Sequence, residues 1–82
     1  MVDVIFDPLF KRNFQKIKDP ALKEKIIKQI SKIKDNPEIG KPMKYARKGT
    51  RELYIPPFRL FYAYLPEEGL VYILDFYHKD EQ

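Results

Sequence analysis

The 82-residue chain has no cysteine and only one histidine. Without thiols there is neither a disulfide framework nor a thiolate metal site, and one imidazole cannot by itself build a zinc site, so no metal and no cofactor is expected. Absent cysteine is also compatible with a cytosolic setting. No apolar run approaches the ~20 residues that cross a bilayer. The opening MVDVIFD lacks the basic start and small-residue cleavage site of a secretory signal. The expectation is therefore a soluble protein that stays in the cytoplasm, with no membrane partner. Internal repeats and low-complexity tracts are missing too, and residues 1–82 read as a single domain. What is present suffices for a core: 44% apolar and 15% aromatic residues outweigh a 34% charged fraction and exclude a disordered chain.

Read from the start, Val2, Val4 and Phe6 alternate with Asp3, Ile5 and Asp7, which predicts a short first strand. Asp7-Pro8 is a helix start, with Asp as N-cap and Pro at the first helical position. Leu9, Phe10, Phe14 and Ile17 then recur at helical spacing, predicting a helix over 8–18. Asp19-Pro20 repeats the signal. A second helix from Pro20 to about Asn36 carries Leu22, Ile26, Ile30 and Ile33 on one face, with Ile27 at its edge, and Asn36-Pro37 ends it. Residues 37–50 have no sustained period and read as a connecting loop. Strands follow over 51–55, 58–65 and about 70–77, the last two joined by a turn at Pro66-Glu67-Glu68-Gly69. The predicted architecture is α+β, in the order βααβββ: a helical hairpin on one face of a small, largely antiparallel sheet.

The centre of the chain is GTRELYIPPFRLFYAY, residues 49–64. Side chains on an extended strand alternate between faces, so if Leu60 and Tyr62 face the core, Arg59 and Phe61 face away. Outward arginine beside aromatic rings suits a phosphate backbone and its bases. From Lys41 to Arg59 the basic residues Lys41, Lys44, Arg47, Lys48, Arg51 and Arg59 meet one acid, Glu52, a charge pattern that draws nucleic acid or an acidic protein segment. The basic residues between Lys11 and Lys34 sit instead on amphipathic helices, where a solvated face accounts for them.

The order of elements, the basic GKPMK loop, the RELYI-PPFRLFY pair and the final strand ending in YHK together resemble the RelE/ParE superfamily of toxins from type II toxin-antitoxin modules. The resemblance spans nearly the whole chain. It implies a toxin, in the RelE and YoeB branches a ribosome-dependent endoribonuclease that cuts messenger RNA and inhibits translation. It also implies a cognate antitoxin as partner, with the ribosome and mRNA as targets and a possible higher-order toxin-antitoxin complex. ParE-like members poison DNA gyrase instead, and a degenerate member would only hold its antitoxin. Arg59 resembles the family arginine that holds the scissile phosphate. Tyr77-His78 resembles the Tyr-His pair of YoeB-like toxins, with the histidine as acid or base, and Lys79 lies near a basic position of RelE-like members. Lys44 and Arg47 match the RNA-facing loop. The pattern departs at Glu52 and Tyr54, where RelE-like members carry lysines. It departs again at Met43, where the YoeB-like glutamate would fall, and at Gln82, where the chain stops without a tyrosine-bearing final helix.

Cutting RNA at a 2′-hydroxyl needs a base, an acid and positive charge on the phosphate, each a known kind of contribution. His78 titrates nearest neutrality by type, which makes it the natural proton carrier. Glu52 is a second candidate base provided that it shares a face with Arg59, and Lys79 an assistant. Lys44, Arg47, Lys48 and Arg51 are candidates to dock RNA, and Tyr54 and Tyr77 to stack on bases. Each has a plainer alternative: His78 as a surface residue, Arg59 paired across strands with Asp75, and most other aromatics, Tyr45 included, as core.

Overall fold

The computed structural model describes residues 2–44 and 47–81, so Tyr45 lies outside the described residues. Strand β1 (Asp3–Phe6) leads into helices α1 (Pro8–Gln15) and α2 (Pro20–Asp35). Strands β2 (Lys41–Pro42), β3 (Thr50–Ile55), β4 (Phe58–Leu65) and β5 (Leu70–His78) follow, with 3-10 turns over Pro66–Glu68 and Lys79–Glu81. They form one mixed sheet in the order β1-β5-β4-β3-β2, with β1 parallel to β5 and the other pairs antiparallel. The α+β architecture is as the sequence predicts.

Both helices begin where their Asp-Pro signals place them. The Asp7 carboxylate accepts from the Leu9 N–H at 2.8 Å and that of Asp19 from Ala21 at 2.9 Å, satisfying donors that an unfinished first turn leaves free. Helix α1 ends three residues before the predicted Lys18. Its last turn tightens, with the N–H groups of Lys16 and Ile17 donating to the carbonyls of Asn13 and Phe14, because Asp19 must be extended to cap α2. The short strand β2 is absent from the sequence reading. Pro42 interrupts any periodic pattern, yet proline is tolerated on an edge strand, where its missing N–H would have faced outward.

The helices bury Phe10, Ile26, Ile30 and Ile33 against Ile55, Leu60, Tyr62, Val71, Ile73 and Phe76 of the sheet. Tyr62 is fully buried and uses its hydroxyl twice, donating to the Pro37 carbonyl at 2.7 Å and accepting from the Gly40 N–H at 2.8 Å. A Cβ at Gly40 would stand 2.6 Å from that hydroxyl and 2.9 Å from the Glu52 carbonyl, so only glycine admits this approach. Arg51 closes the same segment from its other side, donating to the carbonyls of Gly40 at 2.7 Å and Glu38 at 3.2 Å. The segment after α2 is thus latched to the sheet.

Burial holds the Tyr62 phenol above its ordinary range, although the Gly40 bond and the nearby Arg51 charge pull it down. Tyr62→Phe strands a buried N–H and a carbonyl and should cost about 1–3 kcal/mol in urea unfolding. The unfolded phenol ionises first as pH rises, so the wild type loses part of its stability above roughly pH 10, and its advantage over Tyr62→Phe should shrink there. An advantage that stays constant through that range would show that the phenol does not couple to folding.

Candidate anion-binding face

Strand β4 is paired on both sides, and its pleat sorts the candidate residues. On its core side Leu60 lies opposite Leu53 of β3 and Phe76 of β5. On the other, open face Arg59 lies between Tyr54 and Tyr77, and Phe61 between Glu52 and Asp75. The outward placement of Arg59 and Phe61 that the alternation predicts is therefore found. The proline pair 56–57 fills a two-residue connection between Ile55 and Phe58, and Glu52 shares the face of Arg59.

The resulting cluster is compact. A guanidinium nitrogen of Arg59 stands 3.8 Å from a Glu52 carboxylate oxygen, with 37% and 26% of the two side chains exposed. The Tyr77 ring stacks on Phe61 at 4.8 Å and 22°, which leaves Phe61 only 7% exposed although it lies on the open face. Tyr54 is 51% exposed. A cation thus sits between two tyrosines, a row suited to an anion flanked by planar rings. Asp75 does not pair with Arg59. Its carboxylate accepts from the Asn13 side chain at 2.9 Å and from the Phe76 N–H at 2.8 Å.

His78 falls elsewhere. It lies opposite Phe58, on the core side of the sheet, and its ring meets Phe58 edge-on at 5.6 Å. Its Nδ1 accepts from the Asp80 N–H at 3.2 Å and lies 3.5 Å from the Asp80 carboxylate. The cause is a β-bulge. Tyr62 pairs with Ile73 and Phe61 with Asp75, so Leu74 is an extra residue on β5. In an unbroken ladder Val71, Ile73, Asp75 and Tyr77 would share the core face, Phe76 would lie opposite Arg59, and His78 would share the face of Arg59 two residues further along β5. The bulge exchanges the faces of residues 75–78. One signal for this was in the sequence: regular alternation would bury Asp75.

The remaining candidates are dispersed. Arg51 shares the parity of Leu53 and Ile55, turns to the core side and is engaged by residues 38–40. Lys44, Arg47 and Lys48 are exposed on the β2–β3 loop, whose root at Thr50 stands four residues, about 13 Å, along β3 from the Tyr54–Arg59 pair. Lys79 is exposed, its N–H donating to the Pro57 carbonyl at 3.0 Å. Among the described residues no group of three or more His, Asp or Glu gathers closely enough to hold a metal ion.

Elsewhere, α1 and α2 bound an apolar groove of about 300 Å³ lined by Phe6, Phe10, Phe14, Ile27 and Ile30. Lys11 and Gln15 stand at it. No helix among the described residues is long and apolar enough to cross a membrane.

The family model described as ParE toxin of type II toxin-antitoxin system, parDE, matches residues 4–82. No curated protein sequence matches. Among solved structures, the isolated Escherichia coli RelE toxin superposes with a TM-score of 0.81 at 15% identity, over 95% of this chain and 84% of that one. The Mycobacterium tuberculosis RelBE toxin-antitoxin complex gives 0.79 at 24% identity, over 95% and 98%. The archaeal RelE–RelB complex of Pyrococcus horikoshii gives 0.80 at 13%, over 99% and 98%. At such identities the likeness is one of fold.

The half-exposed Arg59–Glu52 pair is screened by water, so Arg59→Ala should change stability by less than about 1 kcal/mol. Thermal melting checks this, and a larger loss would make Arg59 a structural residue.

Proposed function

Because the chain belongs to the ParE toxin family of type II toxin-antitoxin systems, we propose that this toxin arrests its host by seizing a target on the face that carries Arg59, with DNA gyrase as that target. The observation that carries the reading is the separation of His78 from Arg59 by the bulge in β5. A phosphate held by the guanidinium has no imidazole on its side of the sheet, whereas a binding contact needs none. Arg59 supplies the charge, and Tyr54 and Tyr77 supply flat apolar surface on either side, the residue types that dominate contact energies.

Purified protein should inhibit gyrase supercoiling, and His78→Ala should inhibit as strongly as the wild type. Arg59→Ala should weaken inhibition about 10- to 100-fold, the worth of one charge-assisted contact.

A second reading, a ribosome-dependent mRNA endoribonuclease, is favoured by one distance: Glu52 lies 3.8 Å from Arg59, close enough to act as base on a ribose beside a bound phosphate. Unimpaired supercoiling, together with new 5′ ends in ribosome-bound message, would select that reading and overturn the first.

In either case the partner is an antitoxin. Several of the superposed RelE-type structures are toxin-antitoxin complexes, and antitoxin segments of this kind order on binding. Its landing place on this chain is the apolar groove of the helical hairpin, where Ile27 is 55% exposed.

A further inference from the structure

Among the described residues Arg59 is the one arginine that the sheet aims outward between two aromatic rings, and its charge is partly offset. Glu52 stands on the same face, one step along the ladder, its carboxylate 3.8 Å from the guanidinium. That distance is longer than a hydrogen bond. The carboxylate therefore offsets the charge without occupying the N–H groups that a bidentate partner would engage. We propose that Glu52 is the selectivity-determining residue of this face: an internal counter-ion that keeps simple anions off Arg59 and yields only to a nucleic-acid phosphate whose neighbouring unpaired base stacks on Tyr54 or Tyr77. The proposal rests on the reading of Arg59 as a target contact, and the ligand class it names is that of the second reading above, a single-stranded nucleic acid in place of a protein surface.

The chemistry supports displacement. Both side chains are partly exposed, at 37% and 26%, so their attraction is screened and easily exchanged. A lone inorganic anion gains only what Glu52 already supplies. A single-stranded nucleic acid adds base stacking, which is insensitive to sequence because every base has a π-face. Tyr54 is open to it at 51% exposure. Tyr77 is fixed in orientation by its stack on Phe61, so one wall of the site is set before a ligand arrives.

The test is fluorescence anisotropy with a fluorescein-labelled single-stranded oligothymidylate of twelve nucleotides, on wild type, Glu52→Gln, Arg59→Ala and the double variant. Glu67→Gln, which removes the same charge from the β4–β5 turn, is the control, and melting curves verify that each protein is folded. Glu52→Gln should bind about two- to fivefold more tightly, the range of a screened ion pair. Its plot of log affinity against log salt should keep the wild-type slope, because the same Arg59–phosphate contact forms once Glu52 has yielded, whereas Arg59→Ala should flatten it by about 0.7, the share of one phosphate contact on a single strand. The gain should vanish when Arg59 is also replaced, and Glu67→Gln should resemble the wild type.

Equal tightening by Glu52→Gln and Glu67→Gln, or a gain that survives Arg59→Ala, would reduce the effect to net charge and overturn the proposal. A folded Glu52→Gln that binds no better, in a protein whose supercoiling inhibition still depends on Arg59, would sink the counter-ion while leaving the target face standing. Supercoiling and oligonucleotide binding both indifferent to Arg59→Ala would remove the face and the counter-ion together.

Discussion

Two-fold alternation along β4 is the constraint from which the rest of the molecule follows. The strand has partners on both sides, so no residue in it can change face without breaking two ladders. Leu60 and Tyr62 are thereby committed to the core, and Arg59 and Phe61 to the opposite side. The helices cover the first pair and leave the second on the face that they do not pack against. The thickness of one sheet thus separates the helix-packed surface from the face proposed to meet the target.

The core side does more than exclude water. Tyr62 brings a hydroxyl into an apolar interior, which is favourable only because both of its hydrogen-bonding roles are filled by the backbone of residues 37 and 40. Arg51 adds two further bonds to the same segment. The charge density of residues 41–59, so prominent in the sequence, is accordingly divided by the fold. One arginine is spent on structure, one is aimed outward, Lys41 lies on β2, and Lys44, Arg47 and Lys48 stand on the loop rooted at the far end of β3.

Most of the architecture was legible because it depends on local rules that the residues obey. The two Asp-Pro signals located both helix starts, and the parity of 58–65 oriented Arg59. The same parity, carried back along β3, would have put Arg51 with Leu53 and Ile55, whereas the sequence reading counted it among the residues that dock RNA. Two things were hidden. The pairing of β1 with β5 is set by the path of the chain through the helical hairpin, and no residue in β1 records it. The bulge at Leu74 reverses the faces of everything after it, and its trace in the sequence is an apolar spacing at 71, 73 and 76 that leaves Asp75 where strict alternation would bury it. Site reasoning that crosses such a point inherits the wrong side of the sheet: the bulge sets Tyr77 opposite Arg59 and turns His78 to the core side.

The bulge also alters what the strand can tolerate over generations. In a regular β-strand the loss of any interior residue inverts all that follow, carrying polar groups into the core. Leu74 is already surplus to the ladder, so its deletion would bring Ile73 and Asp75 into consecutive register opposite Tyr62 and Phe61 and leave each later side chain on its present face. In the least forgiving kind of secondary structure, the chain thus keeps one position at which its length is free to drift.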